Sequence, residues 1–190
     1  MSPKAVFAFG LVSASIALSA GSASPAAFVL GGGMANACSR AAIEGRDDRD
    51  SLELCNQALE TQPLVGRDRA GTFVNRGVIQ LRRKAYVDAR RDFDSALKIE
   101  PALGEAFVNR GAALVAERRF AEGVTEIDRG LALGADEPEK AYFNRALAWE
   151  GLDDMKAAWL DYQKALELRP DWEAPRRELA RFSVSRADPE

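Results

Sequence analysis

Histidine is absent from the 190 residues of this chain, and only two cysteines, Cys38 and Cys55, occur. Without an imidazole the chain lacks the general base of Ser-His-Asp and Cys-His catalysis and the nitrogen ligand of most zinc sites. Two thiolates cannot supply the four ligands of a structural zinc site. A phosphate-binding loop and a dinucleotide-binding glycine pattern are also missing. The sequence therefore predicts a protein that is not an enzyme and has no metal or cofactor.

The chain also has no large excess of positive or negative charge. Lysine and arginine together number 26, and aspartate and glutamate number 29, which gives a net charge of -3. This balance predicts neither nucleic-acid binding nor attraction to an anionic membrane surface. The content of hydrophobic residues (47%) and of charged residues (29%) is ordinary for a folded domain. The length suits one domain preceded by a processed leader.

Charged side chains are missing from one long segment, which lies between Lys4 and Arg40. Lys4 gives this segment a positive start, an apolar run continues to residue 20, and small residues occupy positions 21–24, as in a secretory signal peptide. The apolar run is short and diluted by serine and glycine, which disfavours a membrane-spanning helix. We predict a signal peptide over residues 1–23 and a flexible linker over residues 24–34.

Two alternatives for the leader remain open. Small residues at positions 35 and 37 allow cleavage as late as residue 37, and such cleavage would expose Cys38 to lipidation. A retained membrane anchor is the other alternative. The short leader and the alanine- and arginine-rich composition favour a bacterial protein that is periplasmic or secreted, with no membrane span after processing.

Export changes the expected state of the cysteines. Two cysteines in an oxidising compartment pair more often than they stay free. The spacing of Cys38 and Cys55 suits facing positions on the two helices of one hairpin. A disulfide that closes a loop of this size contributes about 3 kcal/mol in the chain-entropy model. The alternative is a pair of small, buried free thiols.

Three related pentapeptides recur at a nearly fixed spacing. They are FVNRG from Phe73, FVNRG from Phe107 and YFNRA from Tyr142. Their period is typical of a solenoid, in which one helical hairpin stacks on the next. Gly77, which ends the first pentapeptide, costs a helix about 1 kcal/mol relative to alanine. We expect its missing side chain to let the second helix of the hairpin approach closely at Ala89.

The pattern around these pentapeptides resembles the tetratricopeptide repeat, a helix-turn-helix module of about 34 residues. The family's signature is an aromatic residue, a small residue four positions on, then Ala, an aromatic residue, Ala and Pro. The first repeat has Phe73, Gly77, Ala89, Phe93, Ala96 and Pro101, and the third has Tyr142, Ala146, Ala158, Tyr162, Ala165 and Pro170. The second repeat keeps Phe107 and Gly111 but then has Gly123, Ile127 and Gly130, and it ends at Gly134.

The resemblance implies an all-α fold, a right-handed α-solenoid of antiparallel helix pairs. A degenerate pair over residues 35–66 precedes repeats over 68–101, 102–135 and 136–170, and a capping helix over 171–184 precedes a tail over 185–190. Two glycines within one helix weaken its helix propensity. We therefore expect residues 122–133 to form the least protected helix of the array.

In this family the first helices of the repeats line a concave groove that holds peptides or helices of other proteins. The resemblance implies that Asn75, Asn109 and Asn144 form a row suited to the backbone amides of an extended peptide. The alternative is that each asparagine bonds only within its own repeat or to a neighbouring helix. The predicted groove residues are Val74, Asn75, Val78, Arg82, Val108, Asn109, Ala112, Lys140, Phe143, Asn144 and Leu147.

Arg76, Arg110 and Arg145 stand where the family commonly has leucine. One interpretation is that their stacked guanidinium groups bind an anionic ligand. The other is that their stems cover apolar surface while their charged ends either lie in water or pair with Asp and Glu between repeats. The first repeat is also rich in basic residues and the third in acidic ones. Such a gradient either orients a partner, or favours head-to-tail self-association, or is only a solvated surface.

These features together predict an exported adaptor or scaffold that binds a peptide or helix of another protein in its groove, without chemistry of its own. The alternative is a structural subunit of an envelope assembly or enzyme complex whose partner carries the chemistry. Val74 and Val78 stand where carboxylate-clamping members of the family have Lys and Asn, which argues against that clamp. The sequence leaves the partner and the oligomeric state open.

Overall fold

The computed structural model describes residues 7–10 and 33–186. The predicted signal peptide and linker lie outside the described residues except for Phe7–Gly10 and the last two residues of the linker. Within the described ranges the chain forms two short strands and nine helices. The elements are β1 (Phe7–Gly10), α1 (Met34–Ile43), α2 (Arg49–Thr61), α3 (Gly66–Arg82), α4 (Tyr86–Ile99), α5 (Gly104–Ala116), α6 (Phe120–Ala132), α7 (Pro138–Gly151), α8 (Met155–Leu168), α9 (Glu173–Leu179) and β2 (Ser183–Arg186).

The first eight helices form four consecutive hairpins, α1/α2, α3/α4, α5/α6 and α7/α8. Each hairpin also packs on the next, since α2 contacts α3, α4 contacts α5 and α6 contacts α7. The first helices of neighbouring hairpins touch as well, α1 with α3, α3 with α5 and α5 with α7. This arrangement is an α-solenoid of stacked helix pairs, so the predicted fold class is confirmed. Outside it, β1 and β2 pair as a two-stranded antiparallel ladder.

Each hairpin is held by a small residue on its first helix that faces a large one on its second. A Cβ atom on Gly77 would lie 2.5 Å from Cε1 of Phe93, so the ring occupies the space that a side chain would need. In α7/α8 the corresponding pair is Ala146 and Tyr162, both fully buried in one cluster. The expected close approach around Gly77 is therefore present, although Phe93 and not Ala89 fills the space.

Hairpin α5/α6 replaces the aromatic residue by close contact between backbones. A Cβ on Gly130 would lie 2.7 Å from the carbonyl oxygen of Gly104 and 2.5 Å from Cγ2 of Val108. A Cβ on Gly111 would lie 2.9 Å from the carbonyl oxygen of Gly123 and 2.6 Å from Cγ1 of Ile127. The glycines of α6 therefore weaken the isolated helix but allow it to lie closer to α5. Such close packing argues against α6 being the least protected helix. That expectation stays a prediction, which hydrogen exchange would test.

The turn within each hairpin repeats one backbone geometry. In the α3/α4 turn, Ala85 donates its N–H to the carbonyl of Gln80, and Lys84 donates to Leu81. These two bonds define a Schellman motif, whose αL residue is most often glycine. The αL position is occupied by Gly45 (φ 78°), Lys84 (φ 62°), Arg118 (φ 64°) and Asp153 (φ 61°) in the four hairpins. Gly134 (φ 77°) ends α6 in the same way, as the sequence indicated.

The two ends of the array are closed differently. At the N-terminal end, the predicted disulfide between Cys38 of α1 and Cys55 of α2 is present, and both residues are fully buried. Cys55 thus takes the place that Phe93 has in the next hairpin. At the C-terminal end, α9 stops at Leu179, although the capping helix was predicted to reach residue 184. It stops early because Phe182 leaves the helix and packs edge-on against Tyr162, with ring centroids 6.2 Å apart.

The packing of α6 predicts the sign of one substitution. Helix propensity alone predicts that Gly130→Ala stabilises the protein by about 1 kcal/mol. The close contact with Gly104 and Val108 predicts the opposite, a net loss of about 1–2 kcal/mol in the free energy of unfolding. Urea unfolding followed by circular dichroism measures it. Thr125→Ala on the exposed side of the same helix is the control and should change stability by less than about 0.5 kcal/mol. A stabilised Gly130→Ala protein would show that the glycines are not needed for packing.

Candidate functional site

The residues predicted to line an open groove are mostly buried. All lie on the first helices α3, α5 and α7, as the repeat pattern requires. Val74, Asn75, Val78, Val108, Asn109, Ala112, Phe143 and Asn144 are each at most 4% exposed. Arg82, Lys140 and Leu147 are partly exposed. An open groove lined by all eleven side chains is therefore not what the structure contains, and this part of the prediction needs correction.

Packing between neighbouring elements explains much of this burial. Val74 and Val78 belong to the hydrophobic cluster that contains Cys38 of α1, and Val108 packs in a second cluster with residues of α6 and α7. The ring of Phe143 lies 4.9 Å from the ring of Trp172, which precedes α9, and 5.5 Å from that of Tyr162. The capping segment therefore covers the aromatic residue that sequence reasoning assigned to a ligand.

The three partly exposed residues also have contacts within the protein. Arg82 donates a hydrogen bond of 2.7 Å from Nη1 to the carbonyl oxygen of Ala42 near the end of α1. Lys140 forms an ion pair with Glu137, one turn earlier. Leu147 packs against the cluster that contains Val108 and also against the cluster that contains Ala146 and Tyr162. The bond from Arg82 thus stabilises the N-terminal hairpin. All three side chains contribute to the packing or pairing of the protein itself.

The three asparagines form a row at the predicted positions, but their side chains are buried and do not line an open groove. Asn75, Asn109 and Asn144 occupy equivalent positions on α3, α5 and α7 and are fully buried. Nδ2 of Asn109 donates a 2.9 Å hydrogen bond to the carbonyl oxygen of Glu105, one turn back in α5. Buried amides are nearly always hydrogen-bonded in native proteins, because an unmet amide costs about 1–3 kcal/mol. The row is therefore a regular line of polar groups inside the superhelix.

The arginine series forms a repeated set of ion pairs, which we call the arginine clasps. Arg76 donates from Nε and Nη2 to both oxygens of Asp92, at 2.8 and 2.7 Å. Arg145 bonds Asp161 in the same two-pronged way at 2.8 Å, and both Nε and Nη2 of Arg110 bond Oε2 of Glu126. Each acid lies 16 residues after its arginine, on the second helix of the same hairpin.

Each clasp also reaches back to the preceding hairpin. The remaining Nη1 group of Arg76 donates to Asn56, that of Arg110 to Asp94, and that of Arg145 to Asp128. Arg76, Arg110 and Arg145 in addition lie over the rings of Phe73, Phe107 and Tyr142, with 5.2–5.6 Å between the guanidinium carbon and the ring centroid. The guanidinium groups are thus paired within the protein, as the structural interpretation of this series predicted, and not arranged for an anionic ligand.

Sequence reasoning missed the partners of the clasps, although the signal was available. Asp92, Glu126 and Asp161 recur at the repeat period, and each follows an arginine of the series at the same fixed spacing. Hydrogen bonding to Asp161 raises the pKa of Arg145 above its ordinary value, and bonding to Asp92 does the same for Arg76. Since arginine is protonated throughout the ordinary pH range in any case, the pairs do not act as a pH switch on the arginine side.

A smaller polar cluster closes the C-terminal end. The hydroxyl of Tyr162 donates a 2.5 Å hydrogen bond to Oε1 of Glu150, and Nη2 of Arg181 donates to Oε2 of the same carboxylate at 3.1 Å. Arg181 also pairs with Glu178 at the end of α9. Burial raises the pKa of the Tyr162 phenol far above its usual range. This cluster ties the segment after α9 to α7 and α8, so it is structural.

Neither a metal centre nor a membrane span is found in the part of the chain that the structure describes. No three His, Cys, Asp or Glu side chains gather there in a way that would hold a metal ion. None of the helices between residues 33 and 182 is both long and apolar enough to cross a bilayer.

The stacked hairpins and the contacts between their helices define the fold of a tetratricopeptide repeat domain. The chain is similar to the first such domain of Spaghetti (RPAP3), solved with an HSP90 peptide, at a TM-score of 0.56 and 24% identity over 61% of this chain and 91% of that one. It is also similar to MamA from Desulfovibrio magneticus RS-1, with a TM-score of 0.60 and 20% identity over 78% of this chain and 82% of that one.

Sequence comparison reaches one curated protein over part of the chain. Human sperm-associated antigen 1 is 32% identical over 87 residues, which is 46% of this chain. The match covers only 9% of that protein's own length. No protein family model matches the chain. These likenesses establish the repeat fold, and what the solved neighbours bind is a property of those proteins.

The arginine clasps predict a large effect from breaking one pair. Arg145→Met leaves the carboxylate of Asp161, which is 9% exposed, without its cation. We expect a loss of about 2–3 kcal/mol in the free energy of unfolding, reduced from the fully buried case because Arg145 is 21% exposed. The double change Arg145→Met/Asp161→Leu should recover most of this loss. Urea unfolding of both variants measures it.

The matched control is Arg91→Met, because the ion pair of Arg91 with Asp88 is exposed on both sides. Its stability should change by less than about 0.5 kcal/mol. Equal losses for Arg145→Met and Arg91→Met would mean that the clasps are ordinary surface pairs and do not hold the hairpins together.

Proposed function

We propose that this protein is a scaffold that binds an extended segment of another protein along its first helices and carries no chemistry of its own. The observation that supports it is the row of Asn75, Asn109 and Asn144, which places one amide at the same position on three successive first helices. An amide side chain both donates and accepts, as a peptide backbone requires.

The burial of the row changes how such binding would occur. Because the three amides are fully buried, a bound segment would reach them only when neighbouring helices move apart, so binding would be coupled to an opening of the solenoid. Hydrogen bonds formed there are stronger than those at an exposed surface. The likeness to a repeat domain solved with an HSP90 peptide supports a peptide as the kind of partner. We do not propose the HSP90 peptide itself as the ligand of this protein. Val74 and Val78 stand at the positions of the carboxylate clamp, and both are buried in the hydrophobic core.

We also propose that the protein is exported and acts in the bacterial periplasm or outside the cell. The uncharged, apolar leader after Lys4 supports secretion. The buried disulfide between Cys38 and Cys55 supports an oxidising compartment, because thiols stay reduced in the cytosol. The partner would then be a protein of the same compartment.

Export predicts a defined mature protein. Expressed with its native N-terminus in a bacterium, the protein should be recovered from the periplasm or medium without residues 1–23. Its intact mass should also be two hydrogens lower than that of the reduced chain, because Cys38 and Cys55 are joined. Mass spectrometry before and after reduction measures both. Recovery of the complete chain from the cytoplasm would contradict the proposed location, and cleavage at residue 37 would support the later processing site.

Binding along the first helices predicts which amide matters. A peptide is selected from a random library against the protein, and its affinity is measured by calorimetry. Asn109→Ala should weaken this binding about tenfold, the loss expected for one buried hydrogen bond. Gln163→Ala removes an exposed amide from the second helix α8 and should leave the affinity unchanged. Thermal unfolding of each variant separates lost binding from lost structure.

Variants of all three asparagines together show whether the row binds the peptide. If folded Asn75→Ala, Asn109→Ala and Asn144→Ala variants all bind the selected peptide as the unchanged protein does, the row is structural only. The site would then have to be sought elsewhere on the solenoid. Turnover of a substrate by the pure protein would contradict the non-catalytic part of the proposal.

A further inference from the structure

The turns of the second and third hairpins bring four cations to one edge of the solenoid. Arg83 and Lys84 belong to the α3/α4 turn, and Arg118 and Arg119 belong to the α5/α6 turn. All four side chains are exposed. The two turns lie side by side, because Arg90 at the start of α4 forms a 3.0 Å ion pair with Glu117 of the next turn. We call these four residues the basic turn edge.

The charges of this edge are only partly neutralised within the protein. Among the residues that the structure describes, neither Lys84 nor Arg118 forms an ion pair, although the guanidinium carbon of Arg118 lies 5.9 Å from the centroid of the Phe120 ring. Arg83 donates to the backbone carbonyl of Asp47 and to no carboxylate within the described ranges. Arg119 does have acidic partners, Glu122 at 2.5 Å and, more distantly, Glu117 at 3.8 Å. This differs from the arginine clasps, in which every guanidinium group already binds one or two acids.

The fold of the turns does not require these cations. The same Schellman geometry holds Gly45 in the first hairpin and Asp153 in the last. Lys84 and Arg118 adopt φ of 62° and 64° there, a conformation that glycine adopts without steric cost. Two basic side chains therefore occupy positions where glycine would suit the backbone better. The backbone geometry of the turns therefore gives no reason for the two positive charges.

A cleft adjoins the basic turn edge between α4 and α6. Its volume is about 420 Å³, and its wall includes Arg90 and Arg119 at the end next to the turns. Leu114 of α5 and Thr125 of α6 also line it, together with Asp94, Arg110, Glu122 and Glu126. Three carboxylates therefore balance the three guanidinium groups of its wall. This size is sufficient for a few side chains of a bound peptide. The edge is therefore a row of cations beside a cavity, and not merely a flat charged surface.

We propose that the basic turn edge binds an acidic segment of a partner protein, whose carboxylates pair with Arg83, Lys84 and Arg118. Uncharged side chains of the same segment enter the charge-balanced cleft between α4 and α6. Arginine favours carboxylates because its planar group forms two parallel hydrogen bonds with them. Asp88, Glu117 and Glu122 lie among the cations. A flexible peptide can place its carboxylates against Lys84 and Arg118 and turn away from these acids, whereas a flat anionic lipid surface cannot. This surface is separate from the asparagine row and does not depend on it.

The test uses the full chain and a fluorescein-labelled deca-glutamate peptide, with affinity measured by fluorescence anisotropy. Lys84→Gly/Arg118→Gly removes two cations while giving both turns the residue that their backbone favours, so the fold should be at least as stable. We expect this variant to bind the peptide at least about fivefold more weakly. Asp153→Gly makes the same backbone change in the third repeat and should not weaken binding. Raising the salt concentration should weaken binding of the unchanged protein.

Four results would overturn the proposal. The first is equal affinity of the Lys84→Gly/Arg118→Gly variant and the unchanged protein. The second is binding to phosphatidylglycerol vesicles without binding to deca-glutamate, which would make the edge a lipid surface. The third is a dimer, seen by sedimentation, that Asp153→Gly abolishes. In that case the α7/α8 turn of a second copy, which carries Asp153, would occupy the basic turn edge. Binding of deca-glutamine as strong as that of deca-glutamate would also contradict the role of charge.

Discussion

The fit between a small residue on the first helix of each hairpin and a large one on the second is the contact on which the structure depends. Gly77 and Phe93, Gly111 and Ile127, and Ala146 and Tyr162 bring the two helices together, and all the large members are fully buried. In the first hairpin, Cys55 stands in the place of the large residue and bonds covalently to Cys38. Because an isolated hairpin cannot bury its remaining apolar faces, the hairpins must also stack.

The arginine clasps add orientation to this stacking. Hydrophobic contact favours close approach but is not directional. Each clasp has fixed geometry: two nitrogens of the guanidinium group bind an acid in the same hairpin, and the third reaches the preceding hairpin. Three such groups at equivalent positions therefore set the rotation of each hairpin relative to the previous one. Since the arginines also lie over the aromatic residues three positions earlier, the clasps and the hydrophobic core are parts of one assembly.

The sequence was sufficient to predict features that depend on local pattern. The period of the pentapeptides indicated the hairpins, and the separation of Cys38 and Cys55 indicated their bond. Exposure was not predictable in the same way. Whether Val74 or Phe143 faces water depends on how closely other elements approach, and Trp172 lies outside the three repeats. The αL turns were also missed, because Lys84, Arg118 and Asp153 are not residues that signal a helix end.

Two kinds of position recur along the solenoid. Some carry the same residue in every repeat because they are buried, and others carry a different residue in each hairpin. Buried positions on the first helices repeat closely, as Asn75, Asn109 and Asn144 show, because each must fit the same environment. The turns share one backbone geometry but carry glycine, lysine, arginine and aspartate at the same place. Changing the charge at this one position therefore alters the outer surface, whereas Arg83 and Glu117 elsewhere in the turns contact neighbouring hairpins. In a fold built from equivalent units, such an edge can give each unit its own electrostatic character, which is the property that discriminates among partners.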